Sequence, residues 1–136
     1  MYRVRRSWAC LLLALAGCRE ELGPESLPTT RVSGIVVEGG KPVGGGWIEF
    51  IPVEGTVGNL RSAPIHPDGT FETDGVAVGR NLVGFAHAPI RLANPRRFSP
   101  FASPIRRDVP PGPSTRLTID LVEETMRAKR DRPTGG

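Results

Sequence analysis

Thr115-Arg116-Leu117-Thr118-Ile119-Asp120-Leu121-Val122 is the stretch that decides the fold. Its apolar residues fall on every second position: Leu117, Ile119 and Leu121 face one way, Arg116, Thr118 and Asp120 the other. Side chains of a strand alternate between its two faces, so this pattern predicts a strand with one side buried. The same signature recurs upstream. Residues 32–37 (Val-Ser-Gly-Ile-Val-Val) are rich in β-branched side chains and stop at Gly39-Gly40. Trp47-Ile48-Glu49-Phe50-Ile51 alternates, setting Ile48 and Phe50 against Trp47 and Glu49. Residues 60–65, 71–73 and 82–87 read as further short strands. Pro67-Asp68-Gly69 between two of them is a turn, because Pro presets φ, Asp bonds the nearby backbone and Gly accepts positive φ.

Gly and Pro supply 31 of the 136 residues. A share that high accompanies disorder when it is spread evenly, but here it falls mainly between the strand-like segments and reads as turns. Six or seven short strands at this spacing predict an all-β chain forming a single antiparallel β-sandwich over residues 31–124, long enough for one domain and too short for two. Residues 123–130 suit a helical turn or two, and residues 125–136 read as a disordered or short helical tail. There is no internal repeat.

The N-terminus has a different texture. Arg3, Arg5 and Arg6 precede an apolar run at residues 7–17, which is too short to cross a hydrocarbon core needing roughly 20 helical residues. Length and flanks fit an export signal over residues 1–17. Residues 19–30 are polar, contain two prolines and show no period. They read as a tether reaching at most about 40 Å. The 18 basic and 14 acidic side chains of the whole chain include the three arginines of the signal and no acid there, so the remainder carries 15 and 14. That near balance gives no reason to expect a nucleic-acid partner, which shows as a clustered basic face. Cys10 lies in the signal, and Cys18 is the single cysteine after it, so no disulfide or thiolate metal cluster is expected.

Leu15-Ala16-Gly17-Cys18 at the end of the apolar run resembles the lipobox of bacterial lipoproteins. The resemblance implies cleavage before Cys18, a diacylglycerol on its thiol, and an acylated new amino terminus over a tether of residues 18–30. Two or three acyl chains, each methylene contributing about 0.8 kcal/mol, would hold the protein on a lipid surface, the cell membrane or outer membrane. An ordinary secretory signal with an incidental cysteine is the alternative, though nothing like Ala-x-Ala follows.

A second resemblance lies in the body. Val32-Ser33-Gly34-Ile35-Val36, Gly40-Lys41-Pro42-Val43, Trp47-Ile48-Glu49-Phe50, Pro67-Asp68-Gly69-Thr70-Phe71 and Gly75-Val76-Ala77-Val78-Gly79 are together similar to the carboxypeptidase regulatory-like family. This implies a transthyretin-like or prealbumin-like (Ig-like) sandwich. Two departures stand out: Arg80-Asn81-Leu82 where the family usually places an aromatic, and a long Pro- and Arg-rich segment at residues 89–114.

Catalytic constellations are hard to find. His66 and His87 belong to no zinc-binding spacing, Gly44-Gly45-Gly46 lacks the Gly-Lys-Ser/Thr of a phosphate loop, and there is no nucleophile elbow. The chain ends Arg-Pro-Thr-Gly-Gly, unlike the Tyr-Arg-Gly-Ser end of hydroxyisourate-hydrolysing transthyretin-like proteins. Asp68, Glu72 and Asp74 are near in sequence, but Asp68 belongs to its turn, and Glu72 and Asp74 read as a solvated face if Phe71 points inward. No cofactor or metal is expected. The expected role is a non-catalytic, lipid-anchored envelope module with an envelope protein or polymer as partner. The alternative is a carbohydrate- or anionic-polymer-binding module using Trp47, Arg91, Arg96, Arg97, Phe98, Phe101, Arg106 and Arg107, where arginines interleaved with aromatics suit anionic ligands.

Overall fold

A computed structural model describes residues 26–133. Eight strands and one helix follow in order: β1 (Thr29–Glu38), β2 (Lys41–Pro42), β3 (Trp47–Pro52), β4 (Arg61–Pro64), β5 (Thr70–Ala77), β6 (Gly79–Ala86), β7 (Arg106–Val109), β8 (Ser114–Asp120) and α1 (Leu121–Arg130). They form two sheets. In one, β1 lies between β5 and β8 and continues into the β1–β2 hairpin; the other runs β4-β3-β6-β7. The fold is a β-sandwich, as the alternating runs predict.

The alternation chooses the core. Val32 and Val36 of β1, Ile48 and Phe50 of β3, Phe71 and Val76 of β5, Val83 and Phe85 of β6 and Ile119 of β8 form one cluster between the sheets. Phe50 and Phe71, one from each sheet, meet at a centroid distance of 5.9 Å with their planes tilted by 44°. Gly34 is required where β1 passes under Phe71. A Cβ there would run into the Leu117 carbonyl oxygen and stand 3.0 Å from Phe71 Cζ.

The turn at Pro67-Asp68-Gly69 forms as its residues dictate. Gly69 has φ +82°, Gly69 N–H donates to the His66 carbonyl at 2.8 Å, and Asp68 Oδ1 accepts from Thr70 N–H at 3.0 Å. The Thr70 hydroxyl also donates to that oxygen, and this contact holds the Asp68 carboxyl below the usual carboxylate range. At the β5–β6 connection, where the chain crosses from one sheet to the other, Asn81 takes the place of the aromatic. Its Nδ2 donates to the carbonyls of Ala77 at 2.8 Å and Gly79 at 3.1 Å, stapling the turn from inside.

The last strand departs from expectation in two respects. β8 pairs with β1 in parallel, Arg31 against Ser114 through Val37 against Asp120, so one parallel pair enters the otherwise antiparallel sheets. An antiparallel hairpin is the outcome of a short turn. β8 instead arrives from β7 of the opposite sheet through Pro110, Pro111 and Pro113, which leaves its direction free. The strand also stops at Asp120 rather than running to Val122. Asp120 Oδ1 accepts Val122 N–H at 3.0 Å and Gly39 N–H at 3.1 Å, capping α1 and tying it to the β1–β2 turn. Glu123 and Glu124 lie in the first helical turn and Arg127, Lys129 and Arg130 in the last, complementing the helix dipole. The helix therefore occupies ten residues, more than a turn or two.

Candidate functional site

The two ends of the sandwich are about 30 Å apart along β1. At the Thr29 end, β1 meets Ala77 of β5, and Thr30 Oγ1 donates to the Pro110 carbonyl at 2.9 Å. At the Glu38 end lie the β1–β2 turn, residues 44–46, the 66–69 turn and the start of the long segment after β6.

That second end carries a cleft of about 490 Å³ lined by Glu38, Lys41, Pro42, Val43, Gly44, Pro67, Pro89 and Arg91. Three separate loops build it, and each is held in place. Val43 forms part of the floor, 3% exposed, its N–H donating to the Val36 carbonyl at 2.9 Å. Gly44 packs directly on Pro67, where a Cβ would strike the Pro67 backbone. Glu38 Oε2 accepts the Arg91 backbone N–H at 2.9 Å, pinning the third loop to the end of β1. Lys41 and Arg91 are exposed, and among the described residues neither makes an ion pair with a carboxylate.

The Arg-rich segment does not form one surface. Arg91 lines the cleft. Pro95–Phe98 is a 3₁₀ turn whose Phe98 is 1% exposed and joins the core, so Phe98 is removed from any binding surface. β7 pairs with only the first half of β6, Gly79 to Leu82. Beyond it the segment covers the edge itself: Val83 N–H donates to the Ile105 carbonyl at 3.0 Å, and a Cβ on Gly84 would stand 2.8 Å from Pro100 Cα. Three residues after Phe98, Phe101 has φ +64° and is 72% exposed. Arg96 is exposed and Arg97 partly buried. Arg106 turns back, donating to the Ser103 carbonyl at 2.8 Å. Arg107 is drawn into an ion pair with Glu124 of α1 at 2.5 Å, their side chains 18% and 6% exposed.

Trp47 is 46% exposed on the outward face of β3, opposite Ala86 of β6 and Pro64 of β4. Gly84 shares that outward parity, so the loop at Pro100 lies on the same side as Trp47. Cys18 lies outside the described residues, as does most of the tether.

The carboxylates near one another in sequence separate: Asp68 stays in its turn, and Glu72 and Asp74 lie on the outward face of β5. Glu72 and Asp74 are exposed, and both face Arg31, at 3.0 Å and 2.6 Å. The Arg31 hydrogen bond holds the Asp74 carboxyl below its ordinary range. Among the described residues no three His, Cys, Asp or Glu side chains converge on a point that could hold a metal. His66 and His87 are both exposed, His87 with φ +56° just after β6.

Sequence reasoning named Arg91 but missed the cleft, because its walls come from residues 38–44, 67 and 89–91, far apart in the chain, and the motifs quoted there specify turns rather than a ligand. Gly and Pro are concentrated in those three stretches. No known family profile matches the chain, and no curated protein is similar to it. Among solved structures it is similar to a DUF3823 family protein from Parabacteroides merdae ATCC 43184, at 12% identity and a TM-score of 0.46 over 69% of this chain. The chain spans 46% of that neighbour's length, and a likeness at this level says nothing about function.

Proposed function

We propose that this chain is a lipoprotein, anchored to the cell membrane or outer membrane through acylated Cys18, whose folded part is a non-catalytic carboxypeptidase regulatory-like module for envelope interaction or structure. The observation that carries this reading is Leu15-Ala16-Gly17-Cys18 behind an arginine-led apolar run. The position of β1 accords with it. The chain enters the sandwich at Thr29, so a tether from Cys18 would attach at the end opposite the cleft. The scattered histidines and arginine-neutralised carboxylates favour a binding or structural role over catalysis.

Treatment of producing cells with globomycin, which blocks the lipoprotein signal peptidase, tests the anchor directly. Uncleaved precursor accumulates, and the intact mass of untreated protein equals the chain from Cys18 plus acyl groups. A mature protein beginning elsewhere, or an unmodified Cys18, overturns the proposal.

The exposure of Trp47 beside the Pro100 loop favours a second reading, a carbohydrate- or anionic-polymer-binding face on the outside of the β3–β6 sheet. Trp47→Ala should then abolish capture on immobilised envelope glycans while leaving thermal unfolding unchanged.

A further inference from the structure

We infer that the cleft at the Glu38 end is a binding site for a compact organic oxyanion, a carboxylate or phosphate ester carried on a body of about sugar size. This goes beyond the anchored-module reading and does not depend on it, because the cleft is built entirely from residues of the sandwich.

Size argues first. At about 490 Å³ the cleft falls in the range of about 300–1,000 Å³ typical of small-molecule sites, and is far larger than one inorganic ion requires. Charge argues second. Lys41 and Arg91 line the cleft from different loops, and among the described residues no carboxylate neutralises either of them. Glu38, the one acidic lining residue, has Oε2 engaged by the Arg91 backbone N–H. The lining therefore carries a net positive charge. Arg offers a planar fork matched to two oxyanion oxygens, and Lys a mobile point charge. The apolar remainder, Pro42, Val43, Pro67 and Pro89, suits the body that carries the anion.

Rigidity argues third. Proline has a fixed φ, and the walls are cross-tied by the Val43–Val36 and Glu38–Arg91 bonds, so the backbone has little ordering entropy left to lose on binding and the cost falls on the Lys41 and Arg91 side chains. The Arg91 bond runs through its backbone, which leaves the guanidinium able to meet a ligand while the loop stays in place.

The test is titration of the full chain in nonionic micelles, followed by amide NMR, with glucuronate, glycerol phosphate and glucose as separate probes. Saturable shifts confined to residues 38–44 and 89–91 with either anion, and none with glucose, are expected. A response to glucuronate alone identifies the carboxylate source, to glycerol phosphate alone the phosphate ester. Lys41→Gln with Arg91→Gln should weaken binding about tenfold or more, since each removes a charge-assisted hydrogen bond. Arg116→Gln, an exposed arginine on β8, should leave it unchanged. Both substituted cleft side chains are exposed and the Arg91 backbone bond survives, so unaltered resonances elsewhere verify the fold. Absence of saturation with both anions up to about 10 mM overturns the inference. So does an equal response to glucose, or binding that survives the double substitution. Since acylation plays no part in the titration, failure here leaves the anchor untouched, and an unmodified Cys18 leaves this site untouched.

Discussion

Two clusters of carboxylate and arginine have opposite arrangements and opposite surroundings. On the outer face of the β1–β5 pair, one arginine, Arg31, serves two carboxylates, Glu72 and Asp74, and all three side chains are more than half exposed. Where α1 meets β7, one carboxylate, Glu124, serves two arginines, Arg107 at 2.5 Å and Arg127 at 3.3 Å, and the carboxylate is 6% exposed. Water competes for every charge in the first cluster; in the second it reaches Arg127, 53% exposed, but is nearly shut out of the Arg107–Glu124 pair. Exposed pairs contribute little because solvent screens them and two long side chains must be ordered. A buried carboxylate cannot be left alone, because the surrounding protein does not solvate it. The second cluster thus joins α1, which follows the edge strand of one sheet, to the edge strand of the other, while the first decorates a surface already fixed by the β-ladder.

Glu124→Ala is the sharpest way to break that contrast. It strands Arg107, and we expect a loss of about 3–5 kcal/mol in denaturant unfolding. A loss below about 1 kcal/mol would place the two clusters on the same footing. Replacing the pair together, Arg107→Met with Glu124→Leu, should recover most of that loss, since neither charge is then left unpaired. If the double substitution unfolds as readily as Glu124→Ala, shape at the β7–α1 contact matters more than charge. Arg31→Gln should shift the thermal midpoint only slightly at low salt and not measurably at about 1 M salt, where screening reaches a few ångströms.

Acid exposes the surface cluster in another way. Arg31 holds the Asp74 carboxyl low, and Arg80 does the same for Asp108 through bonds of 3.0 Å. A carboxyl whose folded pKa is depressed contributes fully above its unfolded value of about 3.9 and loses that contribution as pH falls through the folded value. Stability should therefore decline with falling pH below about 4, and Asp74→Asn with Asp108→Asn should flatten that slope. An unchanged slope would assign the decline to other groups.

Much of this was legible in the residues. The alternations at 47–51 and 115–120 each became a strand with the expected side inward, the β-branched run at 32–37 became part of another, and the Pro67-Asp68-Gly69 turn formed through the bonds its side chains favour. The start of α1 was legible in principle. Asp120 followed three residues later by Glu123 is a helix-start signature. It was masked because Leu121 and Val122 prolong the apolar alternation. The parallel course of β8 had no local signal at all, since nothing in a strand's own pattern specifies its direction.

The binding residues were least legible. Residues 89–114 looked like one arginine-and-aromatic surface, yet Phe98 is buried and Phe101, three positions on, projects into water. Arg106 bends back onto its own loop, while the adjacent Arg107 crosses to α1. Arg91 joins Lys41 in a cleft whose walls are dozens of residues apart in the chain. Periodicity and turn chemistry are properties of neighbours in sequence, so the residues by themselves determined a two-sheet sandwich and most of its core. Burial and charge pairing depend on which distant segment covers a given side chain. Only the packed structure decided which aromatic is core, which arginine is paired, and where a cleft remains.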